Sequence, residues 1–198
     1  MRLQEYSALF IAITGVLALT VVSPALSRLL VFPRTEFFTE FWILGPNHMA
    51  DDYPFNVTRN QNYSIFLATA NNLGYCAYYK VEVKFRNQTQ SAPNSFNFTP
   101  SSLPALFNIT AFVADKESWE LPLMFRFNYE YNMTLLKVNI LTLNDVTLNM
   151  ENYTVMWDSQ KHGFFGYLFF ELWIYNQTIS SFQYHERFTS LRLNMTTT

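Results

Sequence analysis

A chain of 198 residues in which aromatic side chains make up 18% and charged ones only 14% must fold by burying ring surface rather than by pairing ions, and it is too apolar to stay disordered. Its formal net charge of −2 comes without long basic runs, which excludes the positive stripe that nucleic-acid phosphates require. That length supports one domain of about 160 residues beside an apolar N-terminal segment.

The first element is apolar. Between Glu5 and Arg28 lie 22 residues without a charge, Y-S-A-L-F-I-A-I-T-G-V-L-A-L-T-V-V-S-P-A-L-S. At about 1.5 Å per residue, a helix through them covers roughly 33 Å, enough to cross a bilayer core. A single transmembrane helix within residues 1–33 is the direct expectation, with Gly15 tolerated and Pro24 loosening the last turn. The competing reading is a cleaved secretory signal, because Ser23, Pro24 and Ala25 set small residues near a cleavage point. The length of the run and its resumption over 29–32 favour a retained anchor. Arg2 before the helix and Arg28 and Arg34 after it leave its orientation open.

The glycosylation triplets decide the orientation. Asn-x-Ser/Thr begins at Asn56, Asn62, Asn87, Asn97, Asn108, Asn132, Asn152, Asn176 and Asn194, all after the helix. Chance pairing of the 18 Asn with the 31 Ser and Thr residues would give about three such triplets against the nine present. The excess implies N-glycans, so residues 34–198 are expected outside the cell, on a single-pass protein of the cell membrane. Cys76 is the one cysteine; no disulfide forms within the chain, and in N-L-G-Y-C-A-Y-Y it reads as a small buried apolar residue. A sequon-dense surface protein without disulfides fits an archaeal cell surface better than an animal one.

Beyond residue 34 the period is that of strands. In Y-K-V-E-V-K-F, residues 79–85, Tyr79, Val81, Val83 and Phe85 alternate with Lys80, Glu82 and Lys84, one face in the core and one in solvent. Leu121, Leu123, Phe125 and Phe127 repeat the pattern. Similar runs cover 37–44, 64–70, 106–113, 135–143, 146–157, 167–175 and 189–195, with turn clusters such as N-N-L-G and K-H-G-F-F-G between them. The expected fold is all-β: an antiparallel immunoglobulin-like sandwich ectodomain behind one N-terminal transmembrane helix. The run Y-L-F-F-E-L-W-I-Y is apolar on both faces, so it is expected to be central, or to have its outer face covered.

Several segments carry a resemblance. F-T-E-F-W-I-L-G-P at 38–46, D-Y-P-F-N-V-T-R-N-Q-N-Y at 52–63 and the pair Asn71 and Asn72 resemble the outer domain of an archaeal membrane-protein family, domain of unknown function 1616. S-W-E-L-P-L-M-F at 118–125 resembles its segment before the last strands, and 167–175 with R-F-T-S-L-R-L resembles the last strands themselves. The resemblance implies an outer β domain and assigns no activity. Many members carry several helices before this domain where this chain has one, and roughly 128–161 looks like an inserted pair of strands.

Chemistry is sparse. His48, His162 and His185 have neither H-x-H nor H-x-x-x-H spacing, so each reads as a surface or loop residue and no metal ligand set is assigned. No G-x-S-x-G is present. Asp51 and Asp52 read as a turn that starts a strand rather than as a cation site, and no carboxylate pair is marked as general acid and base. The expectation is therefore a chain with no catalytic residue and no cofactor. It is a glycosylated, membrane-anchored structural or partner-binding protein that docks on a protein partner through its helix and through Phe37, Phe38, Phe41, Trp42, Phe169, Trp173 and Tyr175. Two alternatives stand beside it, an accessory subunit of a respiratory or oxidase-type membrane enzyme and an archaeal pilin-like filament protein.

Overall fold

In the computed structural model, which describes residues 6–29, 37–94 and 96–196, the chain divides into two units, Met1–Glu36 and Phe37–Thr198. The expected boundary at 33/34 lies outside the described residues. The first unit holds helix α1 (Ser7–Leu29), 23 residues long. Its described side chains are exposed all round, Phe10, Ile11, Leu19 and Val21 among them. Its hydroxyls turn inward: Thr14 Oγ1 donates to the Phe10 carbonyl at 2.7 Å and Thr20 Oγ1 to that of Leu17 at 2.8 Å. Side chains are described without a gap only from Leu9 to Ser23, and among the described residues no helix is long and apolar enough to cross a membrane. The 22-residue uncharged run passes that window at both ends.

The second unit contains β1 (Phe38–Leu44), β2 (Asn56–Val57), β3 (Tyr63–Asn72), β4 (Ala77–Arg86), β5 (Phe107–Val113), β6 (Glu117–Tyr131), β7 (Leu135–Leu143), β8 (Val146–Asp158), β9 (Gly163–Asn176) and β10 (Ser181–Met195). They form two layers, β1-β3-β6-β7-β8 and β5-β4-β9-β10-β2, joined where Trp157 and Asp158 of β8 pair with Phe164 and Gly163 of β9. The whole is one sheet curled on itself into a half-barrel, sandwich-like in cross-section. Every neighbour is antiparallel except β2, which lies parallel to the end of β10. Each run expected from periodicity is a strand. Only β2 is new, because two residues carry no period. The pair of strands expected within 128–161 is the hairpin β7 and β8.

The register read from alternation holds. Tyr79, Val81, Val83 and Phe85 are buried, as are Leu123, Phe125 and Phe127, while Leu121 is half-buried at the margin. The Phe85 and Phe127 rings meet with centroids 5.6 Å apart. Gly166 of β9 is required by this packing, since a Cβ there would stand 2.5 Å from Cζ of Phe85. Each such ring contributes roughly 1.5–3 kcal/mol by leaving water.

The outer face of β4 and β9 departs from expectation. Lys84 was expected in solvent, yet it is 3% exposed and Glu171 of β9 is 0% exposed. The segment between β4 and β5 is fastened over this end of the face. Lys84 Nζ donates to Glu171 Oε2 at 2.7 Å and to the Ser101 carbonyl at 3.2 Å, and the Ser101 amide donates to Glu171 Oε1 at 2.7 Å. The doubly apolar β9 is thus central, between β4 and β10, and the chain's own segment roofs part of its second face. Glu82, expected to be solvated, stands between Lys80 at 2.6 Å and Lys84 at 3.2 Å.

Two tests follow from this packing. Val83→Asp buries an unpaired carboxylate and is expected to cost about 3–5 kcal/mol in thermal or denaturant unfolding, whereas Arg126→Glu, on the exposed side of β6, costs well under about 1 kcal/mol; equal effects would mean a wrong register. Lys84→Ala strands Glu171 in the interior at a cost of about 3–5 kcal/mol, and replacing both residues by Met recovers most of that loss.

Candidate functional site

The segments that stand out in the sequence meet in the interior and in tight turns. Thr39 of F-T-E-F is 3% exposed and Asn71 is 0% exposed. Tyr79 Oη donates to Asn71 Oδ1 at 3.3 Å, so its contact with Thr39 Oγ1 at 2.9 Å is one it accepts. With its own proton spent, Thr39 Oγ1 accepts from His185 Nε2 at 2.7 Å, which fixes that ring as the neutral Nε2–H tautomer. Asn71 Nδ2 donates to the carbonyls of Val113 at 2.8 Å and Tyr75 at 2.7 Å. One chain of hydrogen bonds therefore links β10, β1, β4, β3 and β5.

Burial, with the Arg187 guanidinium adding to it, holds the His185 pKa down to about 4. Burial also raises the Tyr79 hydroxyl pKa, partly offset by the bond from Thr39. His185 is thus a half-buried group held by the network rather than a loop histidine. A β-bulge between Tyr184 and Arg187, with Glu186 at φ 56°, turns it inward.

The other motif residues also serve the fold. Gly45 of L-G-P closes a turn in which the Asp51 carbonyl lies where a Cβ would stand. Tyr53 of D-Y-P donates its hydroxyl to the Ile43 carbonyl at 2.9 Å. Asp51 and Asp52 are exposed loop residues between β1 and β2, and among the described residues no group of three or more His, Cys, Asp or Glu is placed to hold a metal ion. His48 lies on the surface, stacked 3.6 Å from the Phe66 ring and 3.1 Å from Glu120. His162 is an exposed turn residue. Cys76, expected inside, is exposed, because it falls in the turn between β3 and β4 rather than on a core-facing strand position.

The expected docking residues separate into two sets. Phe37 is 64% and Phe38 42% exposed. Phe41 packs partly on the core, and with Trp42 it lines a cleft of about 440 Å³ between β1 and β10, together with Tyr53, Phe55 and Phe188. Phe169 is 1% exposed and cannot meet a partner: it is the register mate of Lys84, at the roofed end of its face. Trp173 is half-buried, with Lys80 Nζ 4.7 Å above its ring. Tyr175 is 37% exposed and belongs to a row of four rings across four strands. In that row Phe112 stacks on Tyr78 at 4.1 Å, Tyr78 meets Tyr175 at 6.1 Å, and Tyr175 meets Phe182 at 5.4 Å. Sequence reasoning missed the row because its members come from β5, β4, β9 and β10, and only the register aligns them.

None of the nine sequon asparagines is buried: Asn87, Asn176 and Asn194 are half-buried and the other six are exposed. Asn194 Nδ2 donates to Asn56 Oδ1 at 2.9 Å, side by side where β10 and β2 pair. Asn87 is the most engaged, accepting from Thr89 and Gln90 and donating to the Thr154 carbonyl at 2.9 Å.

A family model described as domain of unknown function (DUF1616) matches residues 33–158, more than half of the chain; the resembling segments at 167–175 and 187–193 lie beyond it. No curated protein matches. Among solved structures, a chain of the complex between zinc 2-glycoprotein and prolactin-inducible protein from human seminal plasma is similar at 9% identity and a TM-score of 0.38, over 82% of this chain and 98% of that one. A β-glucosidase from Listeria innocua in complex with glucose is similar at 7% identity and a TM-score of 0.33, over 79% of this chain and 16% of that one. Likenesses this slight carry no argument about function.

The His185 network sets a pH dependence. Its folded pKa is depressed, so below the unfolded value of about 6.5 the unfolded chain binds a proton that the folded chain refuses. The stability that follows is complete above about pH 6.5 and is lost as pH falls toward about 4, by up to roughly 3 kcal/mol. Thermal midpoints measured over that window are expected to fall for the native chain, and to fall less for His185→Gln.

Proposed function

The chain belongs to the family of the domain of unknown function DUF1616, and we propose that it is a non-catalytic, N-glycosylated surface protein, anchored in the cell membrane by α1, whose β domain lies outside and binds a protein partner. The observation that carries this reading is the distribution of sequons over the sheet. β1, β3, β6 and β7 contain no sequon asparagine, whereas Asn56, Asn108, Asn152, Asn176 and Asn194 lie on β2, β5, β8, β9 and β10. Glycans at these positions would shield the second layer and β8, and with Asn62 just before β3 and Asn132 just after β6 the surface left free is β1 and the middle of β3, β6 and β7. Exposed Phe38 and Ile140 lie on that free surface, with Phe37 just before it, and apolar surface spared by sugar is where a partner finds purchase.

The helix supports the anchor: its described apolar side chains point in every direction, so it has no single face to lay against a protein surface. Thr14 and Thr20 satisfy their hydroxyls on the helix itself, as apolar surroundings demand. The strand order supports a domain of immunoglobulin type, β1-β3-β6 facing β5-β4-β9-β10, extended by the hairpin of β7 and β8. Sequon density without a disulfide supports an archaeal cell surface. A second reading, accessory subunit of a membrane enzyme complex, is favoured by the cleft holding Phe41 and Trp42 beside exposed Phe37 and Phe38. Co-purification in mild detergent separates the two, because a stoichiometric enzyme partner selects the second.

Mass spectrometry of the protein from native membranes is expected to give masses well above the bare 23.3 kDa; the bare mass alone would end this reading. Asn56 and Asn194, whose amides meet at 2.9 Å, are expected to carry no more than one glycan per molecule, checked on peptides that retain both sites. Asn87, held by four hydrogen bonds, is expected to stay bare.

A further inference from the structure

The end of the sandwich where β9 turns into β10 opens into a cavity of about 1120 Å³, lined by Tyr75, Cys76, Ile174, Asn176, Gln183 and His185 among others. We propose that this cavity is the seat of the chain's own N-glycan, attached at Asn176. The inference rests on the reading that the sequons are used, and it goes further by assigning one glycan a structural place.

Asn176 begins an Asn-Gln-Thr triplet and stands in the cavity wall. Its amide is already oriented for linkage. Oδ1 accepts from the Thr178 amide at 2.8 Å, and Nδ2 donates one hydrogen to Gln183 Oε1 at 2.8 Å. When Nδ2 attacks the anomeric carbon of a glycosyl phosphate-type donor, the new N–C bond forms, the C–O bond to the phosphate breaks, and one Nδ2 proton leaves with the phosphate. The linked nitrogen keeps its other hydrogen, so the bond to Gln183 survives the reaction.

The walls suit a sugar. A pyranose presents apolar C–H faces and a rim of hydroxyls. The half-buried Ile174 and the 57%-exposed Tyr75 ring offer apolar surface, and the negative face of an aromatic ring attracts polarised C–H groups. Gln177 and Gln183 supply amides for hydroxyls. An open concave site with apolar walls and a few polar groups is the usual shape of a ligand seat, and here the ligand would be covalently delivered.

The chain's single cysteine, Cys76, lies in the same wall and is exposed, which gives a direct readout. In the full-length protein from native membranes, the alkylation rate of Cys76 by N-ethylmaleimide is compared among the native chain, Asn176→Gln, Thr178→Ala and Asn152→Gln, with peptide masses reporting which sequons carry sugar. Thr178→Ala abolishes the triplet while leaving the Asn176 amide and the Thr178 backbone donor in place. Alkylation about tenfold faster in both Asn176→Gln and Thr178→Ala, and unchanged in Asn152→Gln, is the expected result, because access controls the reaction of an otherwise equal thiol. Equal rates in all four proteins with Asn176 glycosylated would overturn the inference, as would a bare Asn176 while other sequons carry sugar. Neither of those results would touch the reading of a glycosylated surface protein, whereas sugar on no sequon at all would remove both.

Discussion

The open side of this sandwich is held by a chain of side-chain hydrogen bonds that runs through the Thr39 hydroxyl. Among the described residues the two layers are joined by strand pairing where β8 meets β9 and nowhere else, so on the β1 and β10 side something other than a sheet ladder must fix them. Thr39 does so by accepting from His185 of β10 at 2.7 Å while donating to Tyr79 of β4 at 2.9 Å. The allocation of protons is forced once Tyr79 donates to Asn71, and a fully satisfied chain of this kind is stronger than its separate links because each bond polarises the next. It also explains why a polar Thr and Asn are tolerated at 3% and 0% exposure in a core otherwise made of rings and branched aliphatics.

That network changes the meaning of the sequence blocks that stand out most. F-T-E-F, L-G-P, D-Y-P and the Asn71 pair have the look of a functional signature, and one would search among them for a site. Instead Thr39 and Asn71 tie layers together, Gly45 admits the Asp51 carbonyl, and Tyr53 pins its loop to β1. The blocks are recognisable because a turn, a buried polar chain and a tight carbonyl approach each accept few residue types. A signature can thus mark a fold's fastening points without marking chemistry.

How much could be read beforehand depended on how local the cause was. Alternation placed Tyr79, Val81, Val83 and Phe85 on the core side because a strand's period is a property of the strand alone. The same rule failed for Lys84 and Phe169, which do face away from the core. Whether an outer face is wet depends on the long segment between β4 and β5, and nothing in the local pattern of β4 or β9 reports that Ser101 will fasten there. His185 was misread for a different reason: it stands in a β-bulge, where two extra residues of β10 oppose one step of β9 between Tyr184 and Arg187, so neither motif spacing nor a strand period reports its place. Cys76 was misread by composition, since a free cysteine is usually interior, whereas its place in the sequence falls in a turn.

The surface is divided by the same topology. In sequence the sequons look evenly spread after the helix, one every 6 to 25 residues, and suggest a uniformly coated domain. Folding sorts them, because consecutive strands alternate between layers early in the chain and stay in one layer through β6, β7 and β8. The result is a layer that bears Asn108, Asn176, Asn194 and Asn56 on its strands, and four adjacent strands of the other layer that bear none. On the proposed reading that the sequons are used, a bulky hydrated modification would exclude contact where it is attached, and the strands without a sequon would be the ones left to meet another protein. Phe38 and Trp42 acquire their interest from that exclusion rather than from being aromatic, since Phe169 is just as aromatic and is shut inside the fold.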